Sequence, residues 1–372
     1  MNILFTPIKI KKMELRNRFV RSATGDRLAE GGHISNKQIG LFSELANGGV
    51  GLIITGITYV HPSGQLSFSQ SSIASDEYIP GLKRLTKAVH DKGAKIAVQL
   101  FHAGRKAARF RNSINEEAIA PSFIEDDPYF IEKYPSMTEP DIWNIIWAFG
   151  DAAKRAREAG FDAVQLHGAH GYLLSQFLSP YTNRRSDNWG GKMENRLRFH
   201  HEIYQDIRKK VDEDYPVLIK LGVQDGFAGG LEFSEGKQAA QLITQWGFDA
   251  LEISLGLTGE CYEETEFRTK IDHVDREGYF RHWCRDIKRQ VSVPVMMVGG
   301  LRTFRLMEEV IQKGEADFIS LCRPLIREPD IINEWKKGNF RRSTCTSCNK
   351  CLEVLEKEIG LHCVLKKLEK NS

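Results

Sequence analysis

Short apolar runs recur along this chain, and each gives way to a segment with helical periodicity. The runs are "FVRSA" (19–23), "VGLIITG" (50–56), "KIAVQLFH" (95–102), "FDAVQLHG" (161–168), "PVLIKLGV" (216–223), "FDALEISLG" (248–256), "VPVMMVGG" (293–300) and "ADFISLCRP" (316–324). Most are β-branched, nearly continuous in apolar residues and bounded by Gly, Asp or Pro, as parallel strands buried on both faces are. Between them, "SNKQIGLFSELANGG" opens on a capping serine and closes on glycine. "DIWNIIWAFGDAAKRAREAG" (141–160) and "SEGKQAAQLITQWG" (234–247) do much the same. Strand and helix alternate eight times, which predicts an α/β fold of the (β/α)8 TIM-barrel type. An open doubly wound sheet would also alternate, but no Gly-x-Gly-x-x-Gly follows the first strand.

A barrel core needs roughly 250 residues, so a chain of 372 carries extensions. "IKIKKMELRNRF" predicts a hairpin closing the barrel floor, 103–138 an insertion after the third strand, and 338–372 a cysteine-containing tail. We expect one domain over 1–337, with the tail packed on it. The 41% hydrophobic content supports a large core, and 52 basic against 49 acidic residues leave a net charge of +3. Such a balance gives no field for nucleic acid. No stretch approaches the ~20 apolar residues of a membrane span, and we expect a cytoplasmic protein. Seven cysteines, four of them in the tail, argue for a reducing compartment over a disulfide framework.

In a TIM barrel the chemistry sits at the carboxyl ends of the strands. Here those ends supply Ser22, Ala23, Thr24, Thr55, Gly56, Gln99, His102, His167, His170, Tyr172, Lys220, Gly299, Gly300 and Arg323. The last two loops predict a phosphate cradle: Gly299 and Gly300 lead into a helix N-terminus, and Arg323 offers a guanidinium. Lys220, inside an apolar strand, needs a partner there, either a ligand or an internal carboxylate such as Glu252. His167 and His170 cannot converge on a regular strand and require a turn after Leu166. They could clamp an uncharged substrate, bind zinc with a third ligand, or be structural. Cys345, Cys348, Cys351 and Cys363 offer four thiolates, enough for one 4Fe–4S cluster or a zinc ion.

Taken together, "LFTPIKIKKMELRNRFVRSAT", "VQLFHAGR", "VQLHGAHGYLLSQFLSPYTNRRSDNWGGKMENRLRF" and "VGGLRTFRLMEEVIQKGEADFISLCRPLIREPD" resemble the Old Yellow Enzyme family of FMN-dependent oxidoreductases, in its NADH:flavin oxidoreductase branch. The resemblance covers roughly residues 3–335. It implies FMN at the barrel mouth, with Ser22, Ala23 and Thr24 along the flavin through backbone atoms and Gly56 against the rings. Gln99 would bond the pyrimidine edge, and Lys220 would stand near N1 and O2. Gly299, Gly300, Cys322 and Arg323 would hold the phosphate. It further implies NAD(P)H as hydride donor, His167 and His170 over the flavin as donors to a substrate oxygen, and Tyr172 as proton donor to an electron-poor alkene. Gly25 departs from the threonine or cysteine of relatives, and Asp26 and Arg27 are expected to face the substrate.

The tail resembles the cluster-binding segment of dienoyl-CoA reductase and trimethylamine dehydrogenase relatives. Members of the family are often dimers or tetramers, so a homo-oligomer is expected. Two other readings predict different behaviour. One is a metal-dependent hydrolase using His167 and His170. The other is a zinc-dependent interaction module built on the tail with Arg341, Arg342 and Lys350.

Overall fold

The computed structural model describes residues 2–113, 117–125, 127–261, 264–357 and 359–371. Two short antiparallel strands, β1 (Ile8–Ile10) and β2 (Met13–Leu15), form the expected hairpin. Eight parallel strands then close on themselves: β3 (Phe19–Arg21), β4 (Leu52–Tyr59), β5 (Lys95–Phe101), β6 (Ala163–Gly168), β7 (Val217–Gly222), β8 (Ala250–Ser254), β9 (Val295–Met297) and β10 (Phe318–Leu321). They lie around the barrel in chain order, β10 pairing with both β9 and β3. Every run of the hydrophobic pattern is a barrel strand.

The period of two along each strand divides the core. Ile96, Val98 and Leu100 of β5, Val164 and Leu166 of β6, and Ile219 and Leu221 of β7 face the helical shell. The alternate residues Val20, Leu52, Ile54, Ala97, Ala163, Leu218, Ala250, Met296 and Phe318 form a separate apolar cluster with Ile10, Met13 and Leu15 of the hairpin. The hairpin therefore plugs the barrel floor with its own buried side chains.

The helices are α1 (Asn36–Asn47), α2 (Ile79–His90), α3 (Glu139–Glu158), α4 (Leu173–Leu178), α5 (Met193–Lys210) and α6 (Phe233–Gln245). They continue as α7 (Arg281–Lys288), α8 (Phe304–Gln312), α9 (Arg323–Arg327), α10 (Ile331–Lys336), α11 (Lys350–Glu356) and α12 (Val364–Asn371). Ser35 caps α1 in a reciprocal box with Gln38, as expected. Two starts differ from the sequence reading. Thr138 caps α3, and Asp141 is the third-position partner of the box rather than its opening residue. Helix α6 begins before Ser234, at Phe233, and no side chain caps it. Between β5 and α3, a buried Arg105–Asp127 pair at 2.5 Å holds the insertion, with Tyr181 Oη donating to Asp127 at 2.7 Å.

Past α10 the tail runs back across the carboxyl ends of the strands. Ser343 N donates to Arg302 O at 3.1 Å, and Leu361 N donates to Asp26 O at 2.8 Å. None of the described helices is long and apolar enough to cross a membrane.

Candidate functional site

A cavity of about 390 Å³ opens at the carboxyl ends of the strands. Ser22, Ala23, Thr24, Gly56, Gln99, His167, His170, Tyr172, Lys220, Gly300, Cys322 and Arg323 all lie on its wall. Asp26 and Arg27 lie there too, as expected, although Asp26 turns its carboxylate to Gln38 Nε2 and Leu28 N. Thr55, His102 and Gly299 do not line the cavity. Thr55 Oγ1 instead accepts from Gln99 N at 3.1 Å, across the irregularity in β4 between Ile54 and Ile57. His102 is buried, bonded to Ser63 Oγ at 3.0 Å and accepting from Gly104 N, and burial lowers its pKa to about 3. Gly56 admits no side chain, because a Cβ there would meet Thr24 O at 2.7 Å.

One layer above the apolar floor, the inward side chains become polar and form a chain. Gln99 Nε2 donates to Gln165 Oε1 at 2.7 Å, and Gln165 Nε2 donates to Glu252 Oε2 at 3.0 Å. Lys220 Nζ sits 3.3 Å from that same Glu252 oxygen and donates to Ser22 Oγ at 2.9 Å. The internal carboxylate foreseen for Lys220 is therefore present, and Lys220 also borders the cavity. Glu252 Oε1 and Ser320 Oγ are buried without a hydrogen-bond partner among the described residues. Beneath Ser22, fully buried Arg21 donates to Ser22 O at 2.9 Å and Ile54 O at 3.2 Å, bracing the backbone that borders the cavity.

The chain turns sharply after β6. His170 (φ 58°) and Gly171 (φ 67°) are both left-handed, a conformation costly for a histidine and free for glycine. The turn brings the His167 and His170 rings to 5.0 Å, edge to face, with the Tyr172 ring 4.8 Å from His167. His167 Nδ1 accepts from Ala169 N at 3.3 Å, which leaves the proton of a neutral ring on Nε2. His170 Nε2 lies 2.7 Å from Ser254 Oγ. Burial first, then Lys220, Lys106 and, for His170, His167, hold both histidines well below their usual range. They are neutral donors. Burial also raises the Tyr172 phenol to about 12.

Lys106 braces this turn. Its Nζ donates to His170 O at 2.7 Å and lies 4.8 Å from the centre of the Tyr172 ring.

The end where the sequence predicts a phosphate cradle differs from the expectation in one respect. Glu277 Oε2 accepts from Arg302 N at 2.7 Å and Thr303 N at 2.8 Å, so a carboxylate already occupies amides at the start of α8. Gly300, Leu301, Arg302, Cys322 and Arg323 border the cavity at this end. A Cβ on Gly300 would meet the Tyr279 ring at 2.9 Å. Arg21, Lys106, Glu277, Arg302 and Asn349 escaped the sequence reading. Their roles depend on partners distant in the chain, and none stands in a recognisable spacing.

The tail cysteines are not gathered for a metal. Among the described residues, no group of three or more His, Cys, Asp or Glu side chains is placed to hold an ion. Cys345 Sγ accepts from Arg302 Nη2 at 3.9 Å and Cys363 Sγ from Arg327 Nη1 at 3.7 Å. No disulfide joins any of the seven cysteines among the described residues. Neither the cluster and zinc expectations for the tail nor a zinc site at His167 and His170 has a donor set in this arrangement.

Comparison with known proteins identifies the family. The profile of the NADH:flavin oxidoreductase / NADH oxidase family matches residues 3–341. An NADH oxidase of Thermoanaerobacter brockii is 37% identical over 93% of this chain and 52% of its own length. An NADPH dehydrogenase of Geobacillus sp. is 36% identical over 88% of this chain and 92% of its own. Among solved structures, a 2-naphthoyl-CoA reductase in complex with 2-naphthoyl-CoA superposes with TM-score 0.83 at 28% identity, covering 94% of this chain and 54% of that one. The chain thus spans about half the length of the NADH oxidase and of the 2-naphthoyl-CoA reductase.

Proposed function

This chain belongs to the NADH:flavin oxidoreductase / NADH oxidase family, and we propose that its barrel mouth binds FMN and reduces an electron-poor alkene at the expense of NAD(P)H. Bound FMN supplies the relay of a hydride from nicotinamide to substrate. The residues present suit it. Gly56 and Gly300 place backbone on the cavity wall, and Gln99 and Lys220 offer donors along one edge of the cavity. A buried cation at Lys220 favours negative charge on whatever lies against it. Gly300, Cys322 and Arg323 border the end suited to phosphate. Neither the metal-dependent hydrolase nor the tail interaction module has support in the family match. A tail metal has no donor set on which to build a step.

The observation that carries the reading is the pair of neutral imidazoles beside Tyr172, held over the same cavity as Lys220. His167 Nε2–H, and Nδ1–H of His170 when Ser254 donates to its Nε2, each present one donor. Together they would hold the carbonyl or similar oxygen of the substrate and favour the enolate-like charge that grows there. Tyr172, kept protonated by burial, would deliver its proton to the α-carbon.

The test has two parts. Purified protein should be yellow and retain FMN. His167→Ala with His170→Ala should then lower single-turnover reduction of an enone by about 10²–10³-fold while flavin reduction by NAD(P)H is spared. Tyr172→Phe should act on the same half-reaction. Colourless protein that takes up no FMN, or intact enone turnover in the double variant, would exclude the reading.

A further inference from the structure

The barrel builds the phosphate end of the cavity only in part. Arg302 is 0% exposed, and its three arms serve neutral oxygens rather than a carboxylate. Nη1 donates to Gly300 O at 2.6 Å, Nε to Cys345 O at 2.6 Å, and Nη2 to Ser347 Oγ. Arg323 is tied in a similar way. Its Nη1 donates to Arg268 O at 2.7 Å and to Asn349 Oδ1 at 2.6 Å, while no described residue accepts from its Nε or Nη2. Asn349 is itself fixed, with Nδ2 donating to Phe267 O at 2.7 Å. Ser347 (φ 56°) and Asn349 (φ 58°) both adopt the left-handed backbone that aims these side chains at the two arginines.

We infer that Ser347 and Asn349 of the tail are working parts of the anion subsite, positioning Arg323 and the Gly300 peptide for the phosphate of the cofactor. The inference rests on the proposed binding of FMN. A guanidinium is a planar fork, and pinning Nη1 fixes its plane while Nε and Nη2 remain available as two donors for phosphate oxygens. In a trans peptide the C=O and N–H point in opposite directions. Arg302 therefore holds Gly300 O to itself and turns Leu301 N–H away, and both residues border the cavity. Groups fixed in advance lose less freedom when the anion binds, which raises affinity. The effect is expected at the phosphate, since the hydrogen bonds of these side chains go to Arg302, Arg323 and Phe267 O and not to the residues expected along the rings, although Asn349 borders the cavity.

FMN and riboflavin differ only by that phosphate, so the pair isolates the subsite. Flavin-free full-length protein is titrated with each, and binding is followed by quenching of flavin fluorescence. Asn349→Gly keeps the left-handed backbone and deletes the amide. It should raise the Kd for FMN about tenfold, the usual weight of one hydrogen bond to a charged group, and leave the Kd for riboflavin unchanged. Ser347→Gly should act in the same direction, and the circular dichroism spectrum of each variant guards against a folding defect in it. An unaltered FMN Kd in both variants overturns the inference. Equal losses for the two flavins also overturn it, because the tail would then only shape the ring pocket. Wild-type protein that binds neither flavin overturns the proposed function, and this inference with it.

Discussion

The floor and the mouth of this barrel are built from alternate residues of the same strands, yet they follow opposite rules. Along β6 the inward positions run Ala163, Gln165, His167, along β7 Leu218 then Lys220, and along β8 Ala250, Glu252, Ser254. The lower members pack against the hairpin and need nothing but shape. Two residues higher, Gln99, Gln165, Glu252, Lys220 and Ser22 are equally buried but bonded to one another in a line. The floor is stabilised by removing apolar area from water. The mouth carries charges that are tolerable only as a connected set, and that cost suits a layer whose task is to face a ligand.

Breaking the mouth should therefore have the larger effect on stability. Lys220→Met strands the fully buried Glu252 carboxylate without its cation, a loss of about 3–5 kcal/mol for a severed buried pair. Adding Glu252→Gln should restore most of it, since Gln165 keeps its acceptor. Urea unfolding of flavin-free protein reads both, and a double variant no more stable than the single one would show that the pair is not a coupled unit. On the floor, Leu218→Ala removes apolar contacts without leaving an unpaired charge. It should cost about 3 kcal/mol, and FMN affinity should be unchanged. A large loss of FMN binding in Leu218→Ala would mean that the two layers are not independent.

The same contrast decides what the sequence reveals. The barrel strands are legible because parallel strands buried on both faces force continuous apolar runs, and the hairpin because Ile10, Met13 and Leu15 alternate within a charged segment. His167, His170 and Tyr172 are legible because "HGAHGY" packs a turn and its polar residues into one stretch. The rest depends on partners far along the chain. Arg302 reads as a surface arginine at a helix start until the tail folds back and Cys345 and Ser347 receive it. Glu277 lies 25 residues before the amide it caps, so nothing local announces that the start of α8 is already occupied by a carboxylate. Ser234 reads as a good capping residue, but α6 begins one residue earlier, with Phe233 packed on the core.

Lys106 joins these long-range groups, and it tests the mouth at its finest scale. Its ammonium fixes the carbonyl of the left-handed His170 and faces the Tyr172 ring. Burial lowers its pKa to about 8, against the pull of Glu266, with Arg105 and Arg109 lowering it further. Below that pH the charge is present. It braces the turn and, in the proposed proton delivery, would favour loss of the phenol proton from Tyr172. As pH rises through about 8 the charge is lost and the substrate half-reaction should slow. Stability runs the other way. A folded pKa below the ordinary value of 10.5 means that the unfolded chain holds the proton more readily, so Lys106 contributes more stability as pH rises from about 8 toward 10.5. Lys106→Met keeps the length of the side chain and removes its charge and its donor. It should lower the substrate half-reaction about tenfold at pH 7, the order of one cation–π contact and one charged hydrogen bond. The falling limb near pH 8 should vanish, with flavin reduction by NAD(P)H unaffected. If the variant keeps that limb, another group sets it, and Lys106 only fills space beneath the turn.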